Sequence, residues 1–215
     1  MKFNRRNFLG AVIAASAGAS ASRTLAESIS TPLFPKHDLP PAPASERPPL
    51  LDEALAALDR HANRVTDRSR IGLVDFGLPS SEPRFFLVDV AQGRIEKSWL
   101  VSHGSGSDPA GTGMLQRFSN VPGSNASSRG AYLVSDVYHG RHGRSQRVIG
   151  LDPSNDEALD RAIVIHGAKY VDPSLIDIQG RIGRSQGCFA VQVSEVDRVI
   201  SELGEGRLLY AGKSA

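Results

Sequence analysis

The spacing of apolar residues divides the chain into one helix followed by a series of short strands. Leu51, Ala54, Leu55 and Leu58 recur at helical spacing, which predicts an amphipathic helix over residues 51 to about 64. Downstream, short runs rich in β-branched and aromatic residues replace that period. These runs predict strands at residues 71–76, 84–90, 95–101, 131–138, 147–151, 162–165 and 207–211.

Turn and cap signals complete the predicted fold. Residues 91–94 (Ala-Gln-Gly-Arg) predict a hairpin turn. Ser154 and Glu157 fit a capping box, which predicts a short helix starting near Ser154. A second short helix is predicted from Ser194, with an apolar face of Val196, Val199 and Ile200. Many short strands, few helices and glycine-rich loops predict a mostly β domain, a sandwich or barrel.

The N-terminus is predicted to be a targeting signal. Arg5 and Arg6 precede Phe8-Leu9 and an apolar run that ends near Ala19, which predicts a twin-arginine signal peptide over residues 1–26. The run is too short to span a bilayer. We therefore expect export by the twin-arginine machinery, a periplasmic location and no stable membrane span after processing. An uncleaved interfacial anchor is the alternative.

Proline marks the next boundary. Seven of the 13 prolines lie in residues 32–49. Proline fixes φ and removes a hydrogen-bond donor, so residues 27–50 are predicted to form an extended proline-rich linker. Residues 51–215 then form one folded domain.

The charge balance changes once the signal is set aside. The chain has a formal net charge of +2, but residues 1–26 carry four basic residues and no acid. Without them, 21 basic residues stand against 23 acidic ones, a net charge of −2. No basic field remains that would favour nucleic-acid binding.

Cys188 is the only cysteine, and its surroundings suggest acyl-transfer chemistry. A single cysteine forms neither an internal disulfide nor a zinc cage of thiolates. Gly187 permits a tight turn that can aim backbone N–H groups at an oxyanion. His166 follows an apolar strand, and an imidazole can activate a thiol and protonate a leaving amine. The sequence does not identify the group that orients His166, although a backbone carbonyl can serve. From these residues alone, a buried structural cysteine remains equally possible.

The other histidines are weaker candidates. His103 also precedes a glycine after a strand, but it lacks the spacing of His166 to Cys188. His139 and His142 lie in a basic loop with Arg141, Arg144 and Arg147. No acidic or thiol partner stands at ligand spacing, so a solvated or substrate-facing loop is favoured over a metal site.

The order of the motifs resembles one enzyme family. His166-Gly167 followed by Ser185-x-Gly187-Cys188 is similar to the L,D-transpeptidase catalytic domain, the YkuD-like family. The resemblance to one branch of the family, the murein L,D-transpeptidases, extends over about residues 101–193. It is carried by residues 118–120, 122–124, 127–130, 139–150 and 166–171.

The resemblance implies a fold, a reaction and a site. Residues 51–215 would form an L,D-transpeptidase-like β-sandwich with a few short helices. Cys188 would be the nucleophile and His166 the base in acyl transfer on peptidoglycan stem peptides through a thioester. Substrate or oxyanion contacts would come from Gly187, Ser185, Arg184 and Gly167. No metal or organic cofactor is implied.

Two departures from the family pattern bear on substrate choice. Many members have His where Gln186 stands, and Arg or Asn where Ala190 stands. Three alternative functions also remain: hydrolysis of murein peptides by the same acyl-enzyme, as in an L,D-carboxypeptidase; a non-catalytic peptidoglycan-binding module with a buried thiol; and a redox-sensing thiol.

Overall fold

The computed structural model describes residues 47–215. The predicted signal peptide and nearly all of the predicted linker lie outside this part. The helices are α1 (Leu51–Arg60), α2 (Ser174–Gln179) and α3 (Val196–Leu203). The strands are β1 (Arg70–Asp75), β2 (Phe85–Asp89), β3 (Arg94–Trp99), β4 (Gly130–Gly140), β5 (Gly143–Gly150), β6 (Val164–Gly167), β7 (Phe189–Val191) and β8 (Leu208–Gly212). Within residues 47–215, no helix is long and apolar enough to cross a bilayer.

All eight strands form one continuous sheet in the order β3-β2-β1-β8-β4-β5-β6-β7. Two neighbouring pairs are parallel, β1 with β8 and β6 with β7, and the others are antiparallel. A parallel pair needs a long crossover connection. The crossover between β6 and β7 contains α2 and leads directly into Cys188. The prediction of a mostly β domain with a few short helices is confirmed.

The sheet curls until its two halves pack against each other. The Phe189 ring of β7 stacks on Phe76, just after β1, at 6.4 Å between ring centroids. It also meets the Tyr132 ring of β4 edge-on at 5.3 Å. The segment after β3 bonds to the β7 edge, because the Ser102 amide donates to the Ala190 carbonyl at 2.9 Å. The sandwich therefore consists of two halves of one sheet that nearly close on each other.

The helices cover both faces of this sheet. α1 packs on the convex side with Leu51, Ala54 and Leu58, and α3 packs into the enclosed core with Val196, Val199 and Ile200. Both apolar faces were predicted from their spacing. Burial of these aliphatic side chains contributes roughly 1.5–3 kcal/mol each, so the helices hold the curled sheet in shape.

Three local predictions need correction. The strand predicted at 162–165 is β6 and begins later, because Ala162 has a φ of 53° and cannot continue a strand. The capping box is wrong: Ser154 Oγ donates to the Arg129 carbonyl, and only a 3-10 turn, Asp156–Ala158, forms there without a side-chain cap. α2 was not predicted, because none of its residues is buried and no apolar face marks it.

A buried arginine ties the long loop after β3 to the sheet. Arg84 is fully buried and donates to the carbonyls of Val101, at 3.0 and 2.9 Å, and of Leu78, at 2.9 Å. It also donates to His103 Nδ1 at 2.8 Å. His103 Nε2 lies 3.3 Å from Asp108 Oδ2, and Asp108 accepts backbone amides from the 108–113 loop.

Removal of this arginine should destabilise the domain. We expect Arg84→Met to lower the free energy of unfolding by about 3–5 kcal/mol, because it leaves buried carbonyls without their donor and removes the positive charge that acts on Asp75 and Asp108. Arg70→Met is the matched control, since Arg70 pairs with Glu96 at a partly exposed position and should cost no more than about 1 kcal/mol. Urea unfolding measures both. Equal losses for the two variants would contradict this role of Arg84.

Candidate active site

Strand register brings Cys188 and His166 to one face of the sheet. β6 and β7 are paired with Ile165 opposite Phe189 and His166 opposite Ala190. Ile165 and Phe189 point into the enclosed core. Because side chains alternate along a strand, His166 and Cys188 point to the other face. Diagonal neighbours on one face lie roughly 7–8 Å apart, within reach of an aromatic ring.

The thiol of Cys188 lies at the start of β6. Its Sγ is 3.6 Å from the Ala162 carbonyl oxygen, which accepts the S–H. Burial raises the pKa of the thiol above its ordinary value, while the Val164 amide and the positive charges of Arg141 and Arg161 act in the opposite direction. The net shift is upward, so the resting site holds a neutral thiol at neutral pH.

The contact with Ala162 depends on an uncommon backbone conformation. Ala162 has a φ of 53°, in the left-handed region that a residue with a β-carbon rarely adopts. The conformation costs roughly 1–2 kcal/mol. It is held by hydrogen bonds from the Ala162 amide to the Leu159 carbonyl and from the Ile163 amide to the Ala158 carbonyl, both 2.9 Å. Such strain beside a reactive group is typical of functional sites.

His166 is oriented by the next residue in the chain. Its Nδ1 lies 3.0 Å from the Gly167 carbonyl, which can only accept, so Nδ1 carries the proton and Nε2 keeps its lone pair. Burial lowers the pKa of His166; the Gly167 bond raises it, and the charges of His142 and Arg141 lower it. The net shift is downward, so the imidazole is a neutral proton acceptor at neutral pH. The Gly167 carbonyl is the orienting group that the sequence left unidentified.

The turn of the β4–β5 hairpin lies over this imidazole. The His142 ring stacks on the His166 ring with centroids 4.2 Å apart and planes 23° apart. Arg141 Nε donates to His142 Nε2 at 3.1 Å. The segment predicted as a basic loop is therefore a hairpin whose tip faces the candidate site. No cluster of three or more potential metal ligands occurs in residues 47–215.

Ser185 and Gly187 shape the turn before Cys188. Ser185 Oγ donates to the Cys188 carbonyl at 2.8 Å and accepts the Gly187 amide at 3.1 Å. Gly187 has a φ of 114°, and a β-carbon there would lie 2.7 Å from the Ala126 carbonyl oxygen. Only glycine fits this position. The Gly187 N–H already donates to Ser185 Oγ, so Gly187 contributes to the site by forming the turn.

Arg184, Ala190 and Gln186 have no described interaction with the Cys188 thiol. Arg184 donates to the Asp108 carbonyl, and it is not among the charges that shift the pKa of Cys188. Ala190, which stands where many family members have Arg or Asn, is fully buried and packs in a cluster with Leu100. Gln186 is exposed.

His103 is unsuited to act as the base. Its Nδ1 accepts from Arg84 and its Nε2 faces Asp108. Burial, with the Arg84 charge, lowers the pKa of His103 to about 4. Both ring nitrogens are therefore engaged inside the buried network.

Arg161 is a site residue that the sequence reasoning missed. Its Nη1 donates to the Ser119 carbonyl at 2.9 Å, and its Nη2 donates to the Ala126 carbonyl. Its guanidinium would lie 3.0 Å from a β-carbon at Gly187. Its charge acts on the thiol of Cys188. The available signal was a charged residue directly before the apolar strand that leads to His166.

Tyr170 is a second residue beside the thiol. Burial, followed by the Cys188 charge, raises the pKa of Tyr170 to about 12. Tyr132, by contrast, is a core residue whose hydroxyl bonds to Ser128. Arg129 pairs with Glu53 of α1. Of these three residues, only Tyr170 has Cys188 among its described interactions.

The chain matches one known family over nearly all of its described residues. A family model described as the L,D-transpeptidase catalytic domain matches residues 44–211, nearly the whole described domain.

This chain belongs to the L,D-transpeptidase catalytic domain family.

No curated protein matches the sequence at a significant level.

Solved structures of L,D-transpeptidases are similar at low identity. An L,D-transpeptidase from Mycobacterium smegmatis is 13% identical over 67% of this chain and 58% of its own, with a TM-score of 0.39. One from Xylanimonas cellulosilytica is 18% identical over 74% and 69%, with a TM-score of 0.40. The helical cell shape determining protein Pgp2 from Campylobacter jejuni is 13% identical over 74% and 53%, with a TM-score of 0.45. This chain thus spans little more than half of the mycobacterial and Campylobacter proteins. The family assignment rests on the match over residues 44–211.

The charge of Arg161 should control the reactivity of the thiol. Because the pKa of Cys188 is raised, alkylation by iodoacetamide should be slow at neutral pH and accelerate as pH rises through that pKa. Arg161→Gln removes a stabilising positive charge, so the midpoint should move higher and the rate at pH 8 should fall by about two- to tenfold. Arg129→Gln is the matched control. Mass spectrometry follows the reaction, and identical rate–pH curves for wild type and Arg161→Gln would refute the effect.

Proposed function

We propose that this protein is an exported L,D-transpeptidase that forms a thioester on Cys188 with a peptidoglycan stem peptide and transfers the acyl group to an acceptor amine. The observation that carries the proposal is the shared face of β6 and β7, where the Cys188 thiol and the neutral His166 imidazole stand on diagonal positions. Membership of the L,D-transpeptidase family supplies the reaction class.

Acylation starts from a neutral pair. As Cys188 Sγ attacks the carbonyl carbon of the donor peptide, its proton passes to His166 Nε2. The carbon–nitrogen bond then breaks, and the same proton leaves on the departing amine. A neutral resting pair suits this order of steps, because the thiol loses its proton only as the sulfur–carbon bond forms.

The developing oxyanion needs backbone donors near the thiol. The turn at Ser185–Gly187 fixes the orientation of the Cys188 backbone. We assign the Cys188 N–H as one donor to the oxyanion. Ser185 and Gly187 act here by fixing the turn. Arg161 adds positive charge close to the same point and favours both the thiolate and the oxyanion.

Deacylation completes the cycle. An acceptor amine attacks the thioester carbon, the carbon–sulfur bond breaks, and the amine proton returns through His166 to the thiolate. Water in place of the amine gives hydrolysis, the L,D-carboxypeptidase outcome. His103 is fully buried with both ring nitrogens engaged, so it does not serve as a second base.

The proposed location follows from the N-terminal sequence and the substrate. Arg5-Arg6, the short apolar run and the small residues after it support twin-arginine export. Peptidoglycan lies outside the cytoplasmic membrane. A periplasmic enzyme with peptidoglycan as partner is therefore the proposal that fits both.

A covalent adduct tests the acyl-enzyme. Carbapenems acylate cysteine enzymes of this family, so the purified protein incubated with a carbapenem should gain one drug mass on Cys188. Cys188→Ala should show no adduct. His166→Gln should slow adduct formation by about 10²–10⁴-fold, the contribution of a general base. His139→Gln, on the exposed part of β4, is the control and should react like wild type.

Four results would count against the proposal. The lack of any adduct on the wild type, or an adduct that persists in Cys188→Ala, contradicts the nucleophile. An unchanged rate in His166→Gln contradicts the base. A thiol that resists iodoacetamide even at high pH would instead favour a non-catalytic peptidoglycan-binding module.

Product analysis separates transfer from hydrolysis. With a tetrapeptide muropeptide as donor, we expect cross-linked dimers to increase with the concentration of an added acceptor amine, at the expense of tripeptide. Both products derive from one acyl-enzyme, so added acceptor should change the ratio of dimer to tripeptide. When acylation limits the rate, the rate of donor consumption should stay nearly constant. Chromatography with mass detection measures the ratio. Tripeptide alone at every acceptor concentration would assign the protein as a carboxypeptidase.

A further inference from the structure

The tip of the β4–β5 hairpin has no role in the steps described so far. β4 and β5 are long strands whose last pairs are His139 with Arg144 and Gly140 with Gly143. β5 also pairs with β6, with Ser145 opposite His166. This register places the hairpin turn, Arg141 and His142, next to His166.

His142 covers the imidazole of His166. The two rings are stacked, with 4.2 Å between centroids and 23° between planes. His166 is only 2% exposed, whereas His142 itself is exposed. A histidine ring at a solvent-facing turn therefore takes the place of water over the proposed base.

Arg141 fixes the protonation pattern of this stack. Arg141 Nε donates to His142 Nε2 at 3.1 Å, so His142 Nε2 must carry a lone pair and its Nδ1 the proton. The charges that act on His166 are those of Arg141 and His142 from the turn. The Cys188 thiol stands on a diagonal position of the same sheet face.

Two constraints are needed to hold an imidazole ring. The hydrogen bond from Nδ1 to the Gly167 carbonyl fixes one edge but leaves the ring free to tilt about that bond. A flat partner on the ring face removes that freedom. His142 supplies the face contact, and Arg141 holds His142.

We propose that His142 is a positioning residue for the transfer reaction: its ring, held by Arg141, fixes the plane of His166 and keeps water off the base. This inference rests on the proposed function. In the proposed reaction, His142 contacts neither the sulfur–carbon bond that forms nor the carbon–nitrogen bond that breaks, and it acts through His166. The hairpin tip becomes part of the site, although it lies far from the two family motifs in the sequence.

Two variants with a matched control test the proposal. His142→Ala removes the ring, His142→Phe keeps a flat ring without the imidazole nitrogens, and His139→Ala removes the other histidine of the same hairpin. The probe is a carbapenem, with the rate of adduct formation on the full folded chain measured from pH 5 to 9. In parallel, nuclear magnetic resonance of the free protein follows the ring nitrogens of His166 and their pKa without any reaction.

Positioning predicts a defined order of effects. His142→Ala should slow adduct formation by about tenfold or more, and His142→Phe should recover most of that loss, because a flat face is restored. The pKa of His166 should rise in the order wild type, His142→Phe, His142→Ala. In the wild type, burial and the charge of His142 both lower this pKa; Phe keeps only the cover, and Ala keeps neither. His139→Ala should match wild type in both measurements.

The outcomes distinguish this inference from the proposed function. If wild type forms no adduct on Cys188, the proposed function fails. If wild type reacts and His142→Ala reacts equally fast with an unchanged His166 pKa, only the positioning role fails. A slow His142→Phe variant with a normal thermal midpoint would also overturn it, since a flat ring would then be insufficient.

Discussion

The parallel pairing of β6 with β7 is the constraint on which the candidate site depends. One residue of register shift would turn either Cys188 or His166 into the enclosed core, because side chains alternate between faces. The register is held from the core side, where Ile165 and Phe189 pack with aromatic rings of other strands. It is also held from the edge, where the Ala190 carbonyl accepts the Ser102 amide. Core packing and sheet closure thereby position the reactive groups.

Electrostatics at the site favour proton transfer over a resting ion pair. Burial raises the pKa of the thiol and lowers that of the imidazole, so each group is neutral before substrate arrives. Arg141 and Arg161 oppose this effect at the thiol. In the proposed reaction, these charges stabilise the sulfur as it becomes anionic, which is the point where stabilisation accelerates the chemical step.

Two arginines with little exposure organise the loops around this pair. Arg84 collects carbonyls from the segment after β3 and orients His103 toward Asp108. Arg161 collects carbonyls at Ser119 and Ala126. A guanidinium group can hold several carbonyls at once, because one side chain carries several N–H donors in a fixed geometry. The long glycine- and serine-rich loop, which has little apolar surface of its own, is thus held by hydrogen bonds to both.

The sequence by itself determined the period of the elements and the chemistry of the motifs. Helical spacing identified α1 and α3, β-branched runs identified the strands, and the order of His166-Gly167 and Cys188 identified the family. These features are local, and residues close in the chain carry them. The same reasoning failed at Ser154, where a tertiary bond to the Arg129 carbonyl replaced the expected helix cap, and at α2, which has no buried face to mark it.

Tertiary structure alone decided which distant residues surround the thiol. Arg161, Tyr170 and the His142 ring approach Cys188 or His166 through strand pairing and loop packing, and no spacing rule connects them in sequence. The orienting group of His166 was invisible for another reason: it is a backbone carbonyl, which every residue carries. Ala162 likewise gives no sign of its left-handed conformation. Strand register, the placement of backbone carbonyls and long-range packing are fixed only once the sheet has closed, because each depends on residues that are distant in the sequence.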